Sequence, residues 1–106
     1  NDITALSGSA PAYFFRCMEC MAASALKMGF SAQDARSVIE QVALGAANMV
    51  IKNQDKTLAE LRAAVTSKGG TTYEALRVFE EANLEKIVDD AMEACRLKAE
   101  DMSRKF

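Results

Sequence analysis

Ser31-Ala-Gln-Asp-Ala-Arg-Ser-Val-Ile-Glu-Gln-Val-Ala-Leu-Gly-Ala-Ala-Asn-Met-Val-Ile-Lys52 decides how this chain folds. Its apolar residues Ala35, Val38, Ile39, Val42, Ala46, Met49 and Val50 recur at helical spacing and form one continuous stripe. Ser31 followed by Asp34 resembles a capping box, with Asp in place of the usual Glu, so a helix opens there and runs to about Lys52. From Ala43 to Ile51 only Asn48 is polar, which makes the far end of the helix apolar on a second face. A helix of this kind needs cover on more than one side.

Upstream, Ser9 as N-cap and Pro11 in the first turn predict a helix to about Met28, stopped by Gly29. It too is apolar most of the way round, with Arg16, Glu19, Ser24 and Lys27 on one narrow sector. Downstream, Thr57 with Glu60 forms a fuller capping box for a short helix through about Ala64. A fourth helix carries Tyr73, Leu76 and Phe79 and fades at Ala82. Asn83 can cap a fifth, with the stripe Leu84, Ile87, Val88, Ala91, Cys95 and Met102. On its solvated face Glu100 and Arg104 are spaced for a weak ion pair. The expectation is an all-α bundle of about five helices. Two helices with such wide apolar faces exceed what a monomer of 106 residues can cover, which argues for a dimer.

Composition limits the function classes. Half the residues are apolar, so the chain is globular, and one proline with five glycines leaves little punctuation for a many-stranded sheet. Net charge is −2 with no basic cluster, which argues against nucleic acid. The apolar stretch Pro11 to Phe30 is broken by Arg16, Glu19 and Lys27, so no membrane span is expected. There is no signal-peptide pattern, and a cytoplasmic location follows as the expectation. An opening at Asn1 rather than Met suggests a fragment whose upstream domain lies elsewhere.

Cys17, Cys20 and Cys95 are expected to be reduced and buried. A structural zinc site wants four ligands, and this chain offers three cysteines and no histidine, so no metal is expected. Without histidine the Ser-His-Asp and Cys-His couples are also excluded. No Gly-x-Gly-x-x-Gly follows a strand, so the chain holds no dinucleotide fold of its own.

Two segments remain as places for chemistry. Gly69-Gly70 immediately precede a helix that starts at Thr71 or Thr72, where free first-turn N–H groups and the helix dipole favour an anion. Ser67, Thr71 and Thr72 add hydroxyls. A plain helix stop and turn explains the same residues, and spacing alone leaves both readings open. Leu6-Ser-Gly-Ser-Ala-Pro-Ala-Tyr13 is the other segment, and N-cap chemistry accounts for it without any ligand.

Leu6–Tyr13 resembles the Ser-Gly-Ser-Gly-Pro-Ala-Tyr motif that opens the C-terminal domain of pyrroline-5-carboxylate reductases. Ala64-Val-Thr-Ser-Lys-Gly-Gly-Thr-Thr72, followed by Leu76-Arg-Val-Phe-Glu80, is similar to that family's Val-Thr-Ser-Pro-Gly-Gly-Thr-Thr signature and the helix after it. Leu44-Gly-Ala-Ala47 sits where the family has Leu-Leu-Gly-Ala-Ala. The resemblance implies a helical dimerisation domain like the C-terminal domain of 6-phosphogluconate dehydrogenase, spanning residues 1–106, with the Rossmann domain on an absent N-terminal part. It implies reduction of 1-pyrroline-5-carboxylate to L-proline, the final step of proline biosynthesis, with NADPH or NADH, by a homodimer or higher homo-oligomer. This fragment alone is expected to be inactive.

By the same resemblance Val65, Thr66, Ser67, Gly69, Gly70, Thr71 and Thr72 bind the imino acid, with backbone N–H groups of Gly69, Gly70 and Thr71 on its carboxylate. Thr72 faces the imine nitrogen as the catalytic residue, and Ser9, Ala10 and Pro11 approach the nicotinamide end of the cofactor. Lys68 stands where the family often has proline, and Ala10 where it has glycine, which opens the way to another cyclic imino acid. The competing readings are a non-catalytic helical dimerisation module and a hydroxyacid dehydrogenase. The latter family carries Lys followed by Asn four residues on, and no lysine here has Asn at that spacing.

Overall fold

A computed structural model describes residues 4–105. Among them, one π-helical turn (Thr4–Gly8) precedes five α-helices: α1 (Ala10–Lys27), α2 (Ala32–Lys52), α3 (Leu58–Ala64), α4 (Thr71–Glu81) and α5 (Leu84–Lys105). The helices match the expected ones to within a residue or two. The π-helical turn is new, since five residues without periodicity give no signal in sequence.

Local chemistry places the helix ends. Gly29 takes φ +101°, and its N–H donates to the Leu26 carbonyl at 3.0 Å while Phe30 N–H donates to Ala25 at 3.1 Å, a Schellman stop for α1. Ser31 Oγ accepts from Asp34 N–H at 3.1 Å to open α2. At the other end of α2, Asn53 Nδ2 and Gln54 Nε2 donate to the Met49 and Val50 carbonyls at 2.7 and 2.9 Å. The capping box of α3 is complete, with Glu60 N–H on Thr57 Oγ1 at 3.0 Å and Thr57 N–H on Glu60 Oε1 at 2.8 Å. Asn83 joins α4 to α5 in the left-handed region (φ 63°), donating back to Glu80 and accepting from Ile87 N–H.

The chain divides into two compact units. One comprises residues 1–17 with 77–106, where the π-helical turn packs on α5. The other comprises residues 18–76, where α2 meets α3.

Neither unit encloses a core of its own. Among the described residues only Ala35, at 2% exposure, is a buried apolar residue. The rest of the α2 stripe lies open: Val38 is 56% exposed and Val42 63%. On α1, Phe14 and Phe15 are exposed as well. The chain presents 8829 Å² to solvent, against about 5,800 Å² for a folded monomer of its 11.5 kDa mass. The expected burial of the cysteines is corrected for the same reason. Cys17 and Cys20 are exposed on α1, where Phe14, Phe15 and Met21 are open as well, and Cys95 is half-buried. No helix among the described residues is long and apolar enough to cross a membrane.

Candidate functional site

The Thr66–Thr72 segment lies within the second unit and begins as the end of α3. Val65 is the C-cap of α3 and is exposed, and its N–H returns to Arg62. Thr66 directs both of its donors the same way, its N–H to the Ala63 carbonyl at 3.1 Å and its hydroxyl to the Arg62 carbonyl at 2.6 Å. Of the residues expected to line a ligand pocket, Thr66 therefore holds its proton for the helix.

Next comes a tight turn. Gly70 N–H donates to the Ser67 carbonyl at 2.9 Å, and Gly69 at the third position takes φ +76°. That sign at that place marks a type II turn and requires glycine. Space at Gly70 is tight, because a Cβ there would sit 3.1 Å from the Ser67 carbonyl oxygen and the turn would have to give by a few tenths of an ångström. The expectation that Gly70 N–H faces a ligand is thus corrected: the donor closes the turn.

What Gly70 does supply is its carbonyl, which accepts from Glu74 N–H at 3.2 Å and makes this residue the N-cap of α4. Ser31 and Thr57 each cover a first-turn amide with a side chain, and glycine has none to offer. The N–H groups of Thr71, Thr72 and Tyr73 are therefore left without partners among the described residues. They point along the positive end of an 11-residue helix, beside the exposed hydroxyls of Thr71 and Thr72. Lys68, at the second position of the turn, is exposed and has no hydrogen bond or ion pair among the described residues. Donors arranged in this way can receive a monoanion. The Tyr73 amide is the one among them that the motif does not point to, because only the register of the first helical turn reveals it.

Ser9, Ala10 and Pro11 lie in the first unit, where the π-helical turn passes into α1. Ser9 and Ala10 are half-buried and Pro11 is exposed. The Ser9 carbonyl accepts from Ala12 N–H at 3.0 Å. Its hydroxyl was expected to cap the helix and instead receives the Cys95 thiol of α5 at 3.3 Å. Tyr13 stands one turn along α1, with its Oη shielded from solvent and lacking a partner of proper hydrogen-bond geometry among the described residues. The Ser9 hydroxyl, and after it the Tyr13 phenol, hold the Cys95 thiol below its ordinary range. The Tyr13 phenol is raised, first by hydrogen bonding with the Cys95 side chain, then by burial and by the charge of a thiolate beside it. The sequence places Tyr13 in the motif and Cys95 in the stripe of α5 without linking them, as 86 residues separate Ser9 from Cys95.

Residues 1–102 match the family model described as pyrroline-5-carboxylate reductase dimerisation. The chain is similar over its full length to pyrroline-5-carboxylate reductases of Vibrio alginolyticus (52% identical) and Pasteurella multocida (49%), and it spans 39% and 38% of their lengths. Among solved structures, 94% of the chain superposes on 37% of a pyrroline-5-carboxylate reductase from Coxiella burnetii, with a TM-score of 0.90 and 39% identity. A Plasmodium falciparum pyrroline carboxylate reductase with NADP bound matches 95% of the chain over 38% of its own, with a TM-score of 0.89 and 30% identity. With the family model covering residues 1–102 and relatives alike over the full chain, the chain belongs to the pyrroline-5-carboxylate reductase dimerisation family.

Proposed function

We propose that this chain is the helical, substrate-holding and dimerising domain of a cytoplasmic reductase that converts 1-pyrroline-5-carboxylate to L-proline with NADPH or NADH. The nucleotide-binding domain is separate and N-terminal. The names of the relatives support the reaction, and the NADP bound in the Plasmodium protein supports a nicotinamide cofactor. The observation that carries the reading is the glycine-capped start of α4, with three first-turn amides open to one anion.

The substrate's carboxylate sits on the Thr71, Thr72 and Tyr73 amides, with Ser67 beside it. Charge-assisted bonds of this kind hold a small acid in one orientation. Thr72 then faces the imine nitrogen through its hydroxyl. A threonine hydroxyl is a poor acid at neutral pH, so it orients the nitrogen while a protonated iminium or water supplies the proton. The bound cofactor supplies the hydride. The small half-buried Ser9 and Ala10, with exposed Pro11, suit a face on which a flat ring can rest. A second copy of the chain covers the exposed faces of α1 and α2.

The test is Thr72→Ala in the full-length protein. Losing one oriented hydrogen bond to a charged group is expected to lower kcat/KM for the imine about 10- to 100-fold while NADPH still binds. Undiminished turnover overturns the assignment.

A further inference from the structure

The link from Cys95 to Ser9 joins α5 to the residue just before α1, in a chain that otherwise buries little. A serine hydroxyl has one proton and two acceptor sites. While it is protonated, the Cys95 thiol donates into one acceptor site at 3.3 Å, which leaves the serine's own proton for another acceptor. The Ser9 carbonyl is already committed to Ala12 N–H. Tyr13 Oη, itself shielded from solvent, is a further neighbour of the Cys95 thiol. What remains at Ser9 is an oriented O–H donor at the start of α1.

We propose that Cys95 is a positioning residue. By donating to Ser9 Oγ it turns the serine proton toward a hydrogen-bond acceptor at the nicotinamide end of the cofactor. This rests on the reading of Ser9 as a cofactor contact. Cys95 itself touches neither cofactor nor substrate, and its part is to set a rotamer and the direction of a proton.

The experiment is a double-mutant cycle in the full-length reductase with Ser9→Ala, Cys95→Ala and the pair, together with Cys95→Ser. KM for NADPH, KM for the imine and kcat are measured for each, and the Kd of NADPH is measured for each by fluorescence titration without the imine, where it is expected to follow KM for NADPH. Cys95→Ala is expected to raise KM for NADPH about 2- to 10-fold, the range of one neutral hydrogen bond, with KM for the imine unchanged. Cys95→Ser keeps a donor at the same place and recovers most of that loss. The double variant is no worse than Ser9→Ala, because Cys95 acts only through Ser9. Additive effects, or a parallel rise in both KM values that Cys95→Ser fails to reverse, make Cys95 a packing residue and overturn the proposal. If Ser9→Ala leaves KM for NADPH unchanged, the cofactor reading of Ser9 has failed. If Ser9→Ala raises it and Cys95→Ala does not, the positioning role alone has failed.

Discussion

Lys68 stands at the second position of the Ser67–Gly70 turn, where φ near −60° suits proline. Its N–H has no partner among the described residues, so a proline there forfeits no hydrogen bond. Lys68→Pro is expected to stabilise the fold by about 0.4–1 kcal/mol through the unfolded chain, read as a rise of several degrees in melting temperature. On the proposed reading the same change removes a cation beside the bound carboxylate, so proline is expected to bind a few-fold more weakly than to wild type at low salt, a gap that closes as salt screens the wild-type charge. Lys68→Gln separates the two effects, since it alters charge without stiffening the turn. A fall in melting temperature for Lys68→Pro sinks the turn assignment. At this scale the sequence is legible wherever the chemistry is local. Gly29, Ser31, Thr57 and Asn83 all sit at helix ends as their types predict, because a cap acts within a few residues of itself. Gly70 shows where local reading fails. Its N–H looks free until the turn type is known, and the Ser9–Cys95 pair is invisible without the fold.

Along α5, side chains one turn apart form a connected run. Arg96 bonds Glu93 at 2.6 Å and Glu100 at 3.0 Å, and Glu100 also pairs with Arg104. The sequence spacing indicates the Glu100–Arg104 link, and the structure extends it to Arg96 and Glu93. Hydrogen bonding from Arg96 is the main cause that holds the Glu93 carboxyl below its ordinary value of 4.5, against a smaller opposing effect of burial. A carboxyl depressed in the folded state adds stability above its unfolded pKa and loses it as pH falls through the folded one. The contribution is therefore intact at neutral pH and disappears in the acid range below 4.5. Glu93→Gln is expected to lower thermal stability slightly at neutral pH and above and to converge on wild type in acid, so that the acid limb of a plot of stability against pH is flatter. An acid limb identical to wild type contradicts the pairing. These groups are exposed, so the effect is small and weakens with salt.

For the whole molecule, the decisive quantity is apolar surface left uncovered. The chain exposes about 3,000 Å² more total surface than a compact monomer of this mass, with large apolar side chains open on α1 and α2, and an obligate homodimer interface buries about 1,000–2,500 Å² on each partner. Sequence pattern foretold the surplus, since α1 and α2 are apolar over more of their circumference than one chain can hide. It could not say which faces meet, because periodicity ranks the faces of a helix and carries no information on its neighbour. Val42 is the sharpest probe: it lies mid-way along α2, inside the stripe, and is 63% exposed. In a monomer, Val42→Lys replaces an exposed β-branched residue with a better helix former and should be neutral or mildly stabilising. In a dimer that buries this face, the same change leaves an unpaired charge in an apolar contact and costs several kcal/mol. The expected result is a wild-type chain that sediments as a dimer with a melting temperature that rises with concentration. The variant is expected to be monomeric or unfolded at the same concentration. A wild-type melting temperature independent of concentration, together with an unaffected Val42→Lys variant, removes the dimer from this account. The apolar faces of α1 and α2 then require cover from another domain of the same chain.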